Sequence, residues 1–449
     1  MEYPGSKFTR SWRLAMLTIF ILAFFIISPL LVFYTAGYHY DFKNGIIRQT
    51  GAISIDILPK SATVYLNNNK IDIKIPIRLK NVNPGKYKIK ISQEGFYDWE
   101  KEVTLESRQT IYIKEIKLIK KSQPQKITEG EISNLNLSPD NKYLVYQKNI
   151  SNRQEFFLRD LNSQKETSLL SSNDKEKIKV DWSPRSNYLT LSNESLSKIQ
   201  IFNTQKIEDN WYLNSIETNK ISKWQWGNGY ENEIYYSTKN QLIVINVANK
   251  QKTVISKNNL LDWYSDNRQI WTIQKTTSTN QLLIIKNTFG FAQNFLQLNN
   301  IDINNNQNNW RFVSAVNNEL LLKKPNQSDM LLIYNDKQYN FYGEKFLSSK
   351  YNNWWIMWTP WEITTYSRGE EPFLLNRSGE QLQKVVVLDE YNTLGLIWAD
   401  KMTALFPYYF VNHILINQKI NDAEADSQNR MLLFSAEINE QKGLWQIQY

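Results

Sequence analysis

The stretch "NDAEADSQNR" places Asp422, Glu424 and Asp426 at i, i+2 and i+4. In a loop, that spacing lets carboxylate oxygens converge on a hard cation such as Ca²⁺. The stretch lacks the central glycine and terminal glutamate of a calcium loop, so a solvated loop between repeat units is the expected reading. "SPDNKY" reads as a β-turn and not as a ligand set. The chain has two histidines, His39 and His413, and no cysteine. Thiolate metal sites, disulfides and cysteine nucleophiles are excluded, and histidine-based zinc or acid–base centres are disfavoured. His413 lies in "YYFVNHILINQ", a strand context, and is expected to be structural. No Gly-rich phosphate loop, G-x-S-x-G elbow or H-E-x-x-H pair occurs. No catalytic residue, cofactor or metal site is therefore expected.

A second group could bind without catalysing. "NNWWIMWTPWE" carries Trp354, Trp355, Trp358 and Trp361. On a strand, Trp355 and Trp361 share one face and Trp354 and Trp358 the other. Exposed, these rings would form a binding patch for a sugar or an apolar peptide anchor; buried, they would be core and inter-unit packing.

The elements that position these residues begin with a membrane segment. "LAMLTIFILAFFIISPLLVFY", Leu14 to Tyr34, holds no charge, and about 21 helical residues span roughly 32 Å, the thickness of a hydrocarbon core. Pro29 is tolerated there as a kink. Lys7, Arg10 and Arg13 precede the run against Glu2 alone, which places the N-terminus inside. The expected organisation is a cytoplasmic tail at 1–13, a transmembrane helix at 14–35 and a linker at 36–49. A cleaved signal peptide is the rival, but the apolar run is too long for one and "YTAGYHY" is a poor cleavage site.

Charge is uneven. Residues 1–126 hold 20 Lys/Arg against 10 Asp/Glu, while the remainder is near balance within a total formal charge of +9. A basic nucleic-acid stripe on the larger part is unsupported; a basic segment near an anionic surface is supported.

Residues 50–118 read as a small antiparallel β-sandwich or meander. "GAISIDILP" alternates Ile53, Ile55 and Ile57 with smaller or polar residues. "NPGKYKIKIS" puts Tyr87, Ile89 and Ile91 on one face, to be buried, and Lys86, Lys88 and Lys90 on the other, a candidate contact for anionic headgroups or wall polymer. The ordered pieces Pro59-Lys60-Ser61-Ala62, "TVYLNNNKI", "IPIRL", the turn Pro84-Gly85-Lys86-Tyr87 and the turn Gly95-Phe96 resemble a PEGA domain, with Lys60 and Ser61 in place of the family's Glu and Gly. The resemblance implies a spacer or adhesion module of exported prokaryotic proteins, with no catalytic residues.

From residue 119 onward the chain repeats. Anchored on Leu137, Trp182, Trp226, Trp263, Trp310, Trp355, Trp398 and Leu433, it divides into units of about 41 residues, each with short strands and polar turns, the period of a β-propeller blade. Eight blades are counted, with seven as the alternative. "EFFLRDL", "KIQIFNT", "QLIVINV", "QLLIIKN", "MLLIYND", "PFLLNRS", "HILINQK" and "LWQIQY" read as third strands. "QPQKIT" (123–128) is expected to supply the fourth strand of the last unit and zip the ring. "SPDNKYLVY" and "WSPRSNYLTLS" resemble TolB-type or WD-repeat-like propeller repeats. The repeat tryptophans are expected to pack between blades.

The fold class is thus mainly β: an N-terminal transmembrane helix, a small PEGA-like sandwich and a propeller of about eight four-stranded blades. The expected function is a single-pass, extracytoplasmic binding or scaffold protein of a prokaryotic envelope, not an enzyme. Its partners would be the membrane and an envelope protein or glycan, and not nucleic acid. The alternative is an envelope hydrolase or lyase with its site in the central channel of the propeller.

Overall fold

A computed structural model describes residues 10–35, 37–41, 45–150, 153–173, 176–228, 232–239, 241–257, 260–266, 269–275, 282–288, 291–298, 310–316, 318–325, 327–335, 337–349, 354–367 and 370–449. Most of the expected 1–13 tail, including Lys7, lies outside these residues, as do Asn352 and Asn353 of the Trp-rich stretch. The chain forms two units, residues 1–121 and 122–449.

The first unit opens with one helix, Arg10–Thr35, which contains Pro29. The span Ser11–Thr35 has a mean hydropathy of 2.7 and is 0% buried. A helix apolar on every side and covered by no protein is matched to a lipid solvent. It is long and apolar enough to cross a membrane, and a signal sequence passes the same test. A short antiparallel hairpin follows, pairing Tyr38–Asp41 with Ile46–Gln49.

The rest of this unit is a sandwich of a three-stranded and a four-stranded sheet. The alternation expected in "GAISIDILP" is present: Ile53, Ile55 and Ile57 are buried, and they share the core with Ile77, Ile89, Ile91, Trp99 and Ile113. One pairing departs from the antiparallel expectation, because Gly51–Leu58 runs parallel to Thr110–Lys117. The intervening Thr63–Leu66, Gly85–Ser92 and Trp99–Leu105 lie in the other sheet, so the chain crosses the sandwich and returns beside its own first strand. Gly95, at φ +78, occupies a left-handed turn position that a side chain would strain.

The second unit contains eight four-stranded antiparallel sheets among its described residues. Seven are built from consecutive strands. The eighth joins Ile420–Asp426, Met431–Ile438 and Gln441–Gln448 to Gln125–Glu129 from the start of the unit. First strands of neighbouring sheets touch: Glu131–Leu137 meets Ile420–Asp426, and Asp262–Asp266 meets Arg311–Val316. The first strands therefore surround a central axis, and the eight sheets are the blades of a propeller.

Each blade shows why its strands take their places. Second and third strands are covered on both faces and read as continuous apolar runs, such as "ELLLK", "DMLLIY", "LGLIW" and "MTALF". Fourth strands are outermost and polar, as in "KIEDNWY" and "KQYNFY". Among the described residues, seven apolar clusters straddle successive blades. One joins Val145 and Phe156 of the first blade to Leu189 and Phe202 of the second; another joins Trp358 of the sixth to Trp398 of the seventh. All eight repeat anchors, from Leu137 to Leu433, pack in these clusters. Blades seven and eight are tied by the Tyr449 hydroxyl, which donates to the Leu388 carbonyl at 2.6 Å.

The expected third strands slip in two blades. "PFLLNRS" and "HILINQK" are fourth strands, Phe373–Arg377 and Val411–Ile416, and not third strands. The first strand of the sixth blade is the short, tryptophan-free Lys345–Ser348, and from that blade on the anchors Trp355, Trp398 and Leu433 mark second strands and not first ones.

Candidate binding surface on the propeller

The chemistry-bearing side chains cluster on the innermost strands. Lys384 of the seventh blade places Nζ 2.8 Å from Asp422 Oδ1 and 2.7 Å from Glu424 Oε1 of the eighth. The second Asp422 oxygen accepts the backbone N–H of Leu135, from the first blade, at 2.7 Å. Burial alone would push Lys384 down; the Glu424 and Asp422 carboxylates more than offset it, and its ammonium is held above the usual lysine range. "NDAEADSQNR" is therefore not the solvated loop expected. Residues 420–426 form a strand in which Ala423 is buried and the carboxylates alternate with small residues. Asp426 accepts the Asn141 side-chain N–H at 3.0 Å and the Asn429 amide N–H at 3.0 Å. These oxygens are spent on lysine and amide donors, and among the described residues no group of three metal-ligating side chains is present.

Lys384 and Glu424 form part of the lining of a pocket of about 260 Å³ where first strands turn into second strands. Its walls are mostly apolar or small: Leu137, Pro139, Trp182, Leu347 and Val386. The turns around it are knitted by buried polar groups. Ser349 Oγ meets Asn392 Oδ1 at 2.6 Å, and the Asp140 N–H donates to Ser186 Oγ at 3.2 Å.

On the same face, an aromatic cluster lies exposed on the outer parts of blades six and seven. Phe373, Leu374, Tyr408, Phe410 and Ile414 are each 44% to 55% exposed. The Phe373 and Phe410 rings are 6.4 Å apart, and Tyr408 packs on Trp354 at 5.5 Å. Phe373 and Phe410 begin or precede the fourth strands of their blades, at the end where third strands turn outward. That end carries the same face as the first-to-second-strand turns, because strands alternate in direction.

The tryptophans singled out by sequence do not form this surface. Trp354, Trp355 and Trp358 are 7%, 4% and 6% exposed, and only Trp361 is open, at 51%. Trp354 and Trp358 point toward the seventh blade and Trp355 toward the fifth. Trp361 lies in the turn before Glu362–Tyr366, off the strand, so it shares no face with Trp355. Second strands are sandwiched on both sides, and any tryptophan on one becomes inter-blade packing.

The lysine face of the sandwich is also corrected. Lys88 pairs with Glu100 at 2.7 Å, and Lys90 with Asp98 at 2.9 Å and Glu100 at 3.5 Å. Asp98 is held low by its bond from Ser92 and by Lys90, and Glu100 is held low by Lys88. Lys86 stands opposite Thr104. The face is thus a ladder of opposite charges along neighbouring strands, not a free cationic stripe. Tyr87 is half-buried and its hydroxyl donates to the Asn83 carbonyl at 2.6 Å, whereas Ile89 and Ile91 are fully buried. His413 is partly buried and meets the Phe406 ring edge-on at 5.8 Å, a packing role.

Sequence reasoning missed Lys384, Phe373, Tyr408 and Phe410. The alternation of Asp422 and Glu424 with alanines was the available signal for a strand with one polar face. Nothing local marks Phe373 or Phe410 as outer-strand residues once the repeat frame has slipped.

A protein-family model, the PEGA domain, matches residues 50–119. This segment is a PEGA domain. The match covers the sandwich from its first strand to just past its last. A comparison with curated protein sequences returned no match. Among solved structures, the chain is similar to the β-propeller domain of Cps50 (Swd1) from Myceliophteria thermophila, at 10% identity over 72% of this chain and 99% of that one, with a TM-score of 0.40. It is similar to the N-terminal domain of Nup159 at 8% identity over 72% and 92%, with a TM-score of 0.41. It is also similar to dipeptidyl peptidase 4 of Porphyromonas gingivalis at 10% identity over 70% and 56%, with a TM-score of 0.46. The propeller rests on this chain's own eight sheets and their ring closure.

Proposed function

We propose that this is a single-pass, membrane-anchored binding or scaffold protein of a prokaryotic cell envelope, without catalytic activity. The N-terminus lies in the cytoplasm, the PEGA domain acts as spacer or adhesion module, and the propeller presents its binding face to an envelope protein or glycan. The observation that carries the reading is the exposed aromatic cluster of Phe373, Tyr408 and Phe410 on the same propeller face as the channel-mouth pocket. Exposed aromatic rings supply large contact area at low entropic cost. The channel carboxylates are committed to Lys384 and to backbone donors, which favours a recognition role over acid–base chemistry.

The test is capture from detergent-solubilised envelope by the full chain, with Phe373→Ala/Phe410→Ala alongside. A specific partner retained by the wild type and lost by a folded double variant is the expected result. Equal capture by both sinks the aromatic face as the site. Protease shaving of intact cells tests the topology: protection of every site beyond residue 50 would refute it.

A further inference from the structure

A second pocket, of about 420 Å³, opens at the other ends of the first strands, among blades three to five. Lys223 and Arg311 line it, with Ser222, Ser237, Thr238 and Gln241. Its hydrogen-bonding groups are unbalanced. Among the described residues that line it, Asp262 is the one carboxylate, and it is buried. Oδ1 of Asp262 accepts Lys223 Nζ at 2.8 Å, and Oδ2 accepts the Phe312 backbone N–H at 2.6 Å. Lys223 Nζ also donates to the Trp263 carbonyl at 2.6 Å and lies over the Trp263 ring, which leaves one of an ammonium's three donors. Arg311 commits Nη1 to the Leu261 carbonyl at 2.5 Å, and a guanidinium carries five donors. Among the described residues, no carboxylate pairs with Arg311. Lys239 is exposed in the turn between Thr238 and Gln241.

The pocket therefore holds donors and positive charge in excess of acceptors and negative charge. Lys223 and Arg311 against Asp262 leave one positive charge in the lining, and Lys239 adds another in the adjoining turn. The group that fits such a site is an anion rich in acceptor oxygens, and a guanidinium grips it through paired N–H bonds. We propose that this pocket is a binding site for a phosphate group, free or esterified. The site is independent of the aromatic face, and each can fail without the other.

Titration calorimetry of the full chain in neutral detergent, at constant ionic strength, tests it with inorganic phosphate and with glycerol phosphate. Saturable one-to-one binding of either is expected; binding of the ester as well as the free ion shows that the site accepts an esterified phosphate, and binding of the free ion alone restricts it to inorganic phosphate. Arg311→Gln should weaken binding at least tenfold, Arg311→Lys should retain part of it, and Lys401→Gln, at a distant surface pair, should change nothing. Thr238→Val and Lys239→Gln, which leave the Lys223–Asp262 pair intact, should each weaken it several-fold and serve if Arg311→Gln does not fold. No saturable binding of either probe, or equal binding by wild type and the pocket variants, overturns the proposal.

Discussion

Lys384 meets Asp422 across blades seven and eight as Lys223 meets Asp262 across blades three and four, each at 2.8 Å. In both, the second carboxylate oxygen takes a backbone N–H from the next blade, Leu135 in one case and Phe312 in the other. The two staples lie four blades apart in a ring of eight, on opposite sides of the channel. Each joins three consecutive first strands through one aspartate. Their surroundings differ: Glu424 adds a negative charge to one, and Arg311 adds a positive charge near the other.

Removing the lysine from the first staple leaves two shielded carboxylates facing each other. Lys384→Met is expected to destabilise the propeller by about 2–4 kcal/mol, and Lys384→Met/Asp422→Asn/Glu424→Gln to recover part of that loss. Denaturant titrations followed by tryptophan fluorescence measure both. The folded pKa of Lys384 is raised, so its contribution is complete below the ordinary lysine range and is lost only as pH rises through the elevated value. The wild-type advantage over Lys384→Met should therefore be undiminished at pH 9.

Asp181 behaves in the opposite sense. Its side chain is 26% accessible, but Oδ2 is shielded and has no partner among the described residues, while Lys179 meets Oδ1 at 2.8 Å. Burial pushes this carboxyl up. A raised carboxyl pKa means the native state binds the proton more tightly than the unfolded chain, so ionisation costs stability as pH rises above the unfolded value. Asp181→Asn is expected to be more stable than wild type at pH 7 by on the order of 1 kcal/mol. The gap should close on acidification toward pH 4, and paired denaturation curves at the two pH values read it directly.

Ring closure can be locked. Gln125 and Gln446 are register partners across the joining strands, and their side chains touch at 3.2 Å. The chain has no cysteine, so Gln125→Cys/Gln446→Cys forms a single, unambiguous cross-link. It is expected to raise stability by about 3–5 kcal/mol when oxidised and to return to the wild-type midpoint under reductant. A midpoint indifferent to reductant would count against the closure.

The tryptophans separate by environment. Trp358→Ala removes a ring from the cluster between blades six and seven and should cost about 3–5 kcal/mol. Trp361→Ala removes an exposed ring and should stay within about 0.5 kcal/mol. Thermal melts of the two variants decide this without any ligand.

The legible part of the fold was the part written in local period. Ile53, Ile55 and Ile57 announce a half-buried strand, and the turns at Ser138-Pro139-Asp140-Asn141 and Ser183-Pro184-Arg185-Ser186 mark first-to-second-strand connections. The illegible part depends on which neighbour a strand acquires. Asp422 and Glu424 look solvent-facing until the seventh blade delivers Lys384. Trp354 and Trp358 look available until that blade covers them. The lysines of "KYKIKIS" look free until Trp99–Leu105 sets Glu100 beside them. In each case the sequence carries the alternation but not the partner, since cross-blade and cross-strand pairing is a property of the assembled sheet.

The pairing of Gln125–Glu129 with Gln441–Gln448 also has a consequence for biosynthesis. A ribosome delivers the first of these strands more than three hundred residues before the second. Throughout that interval the nascent propeller has two raw edges, each able to recruit a foreign strand. The growing chain must be shielded until its last blade emerges, and a nonsense mutation that removes only the final strand would leave seven finished blades without a closed ring.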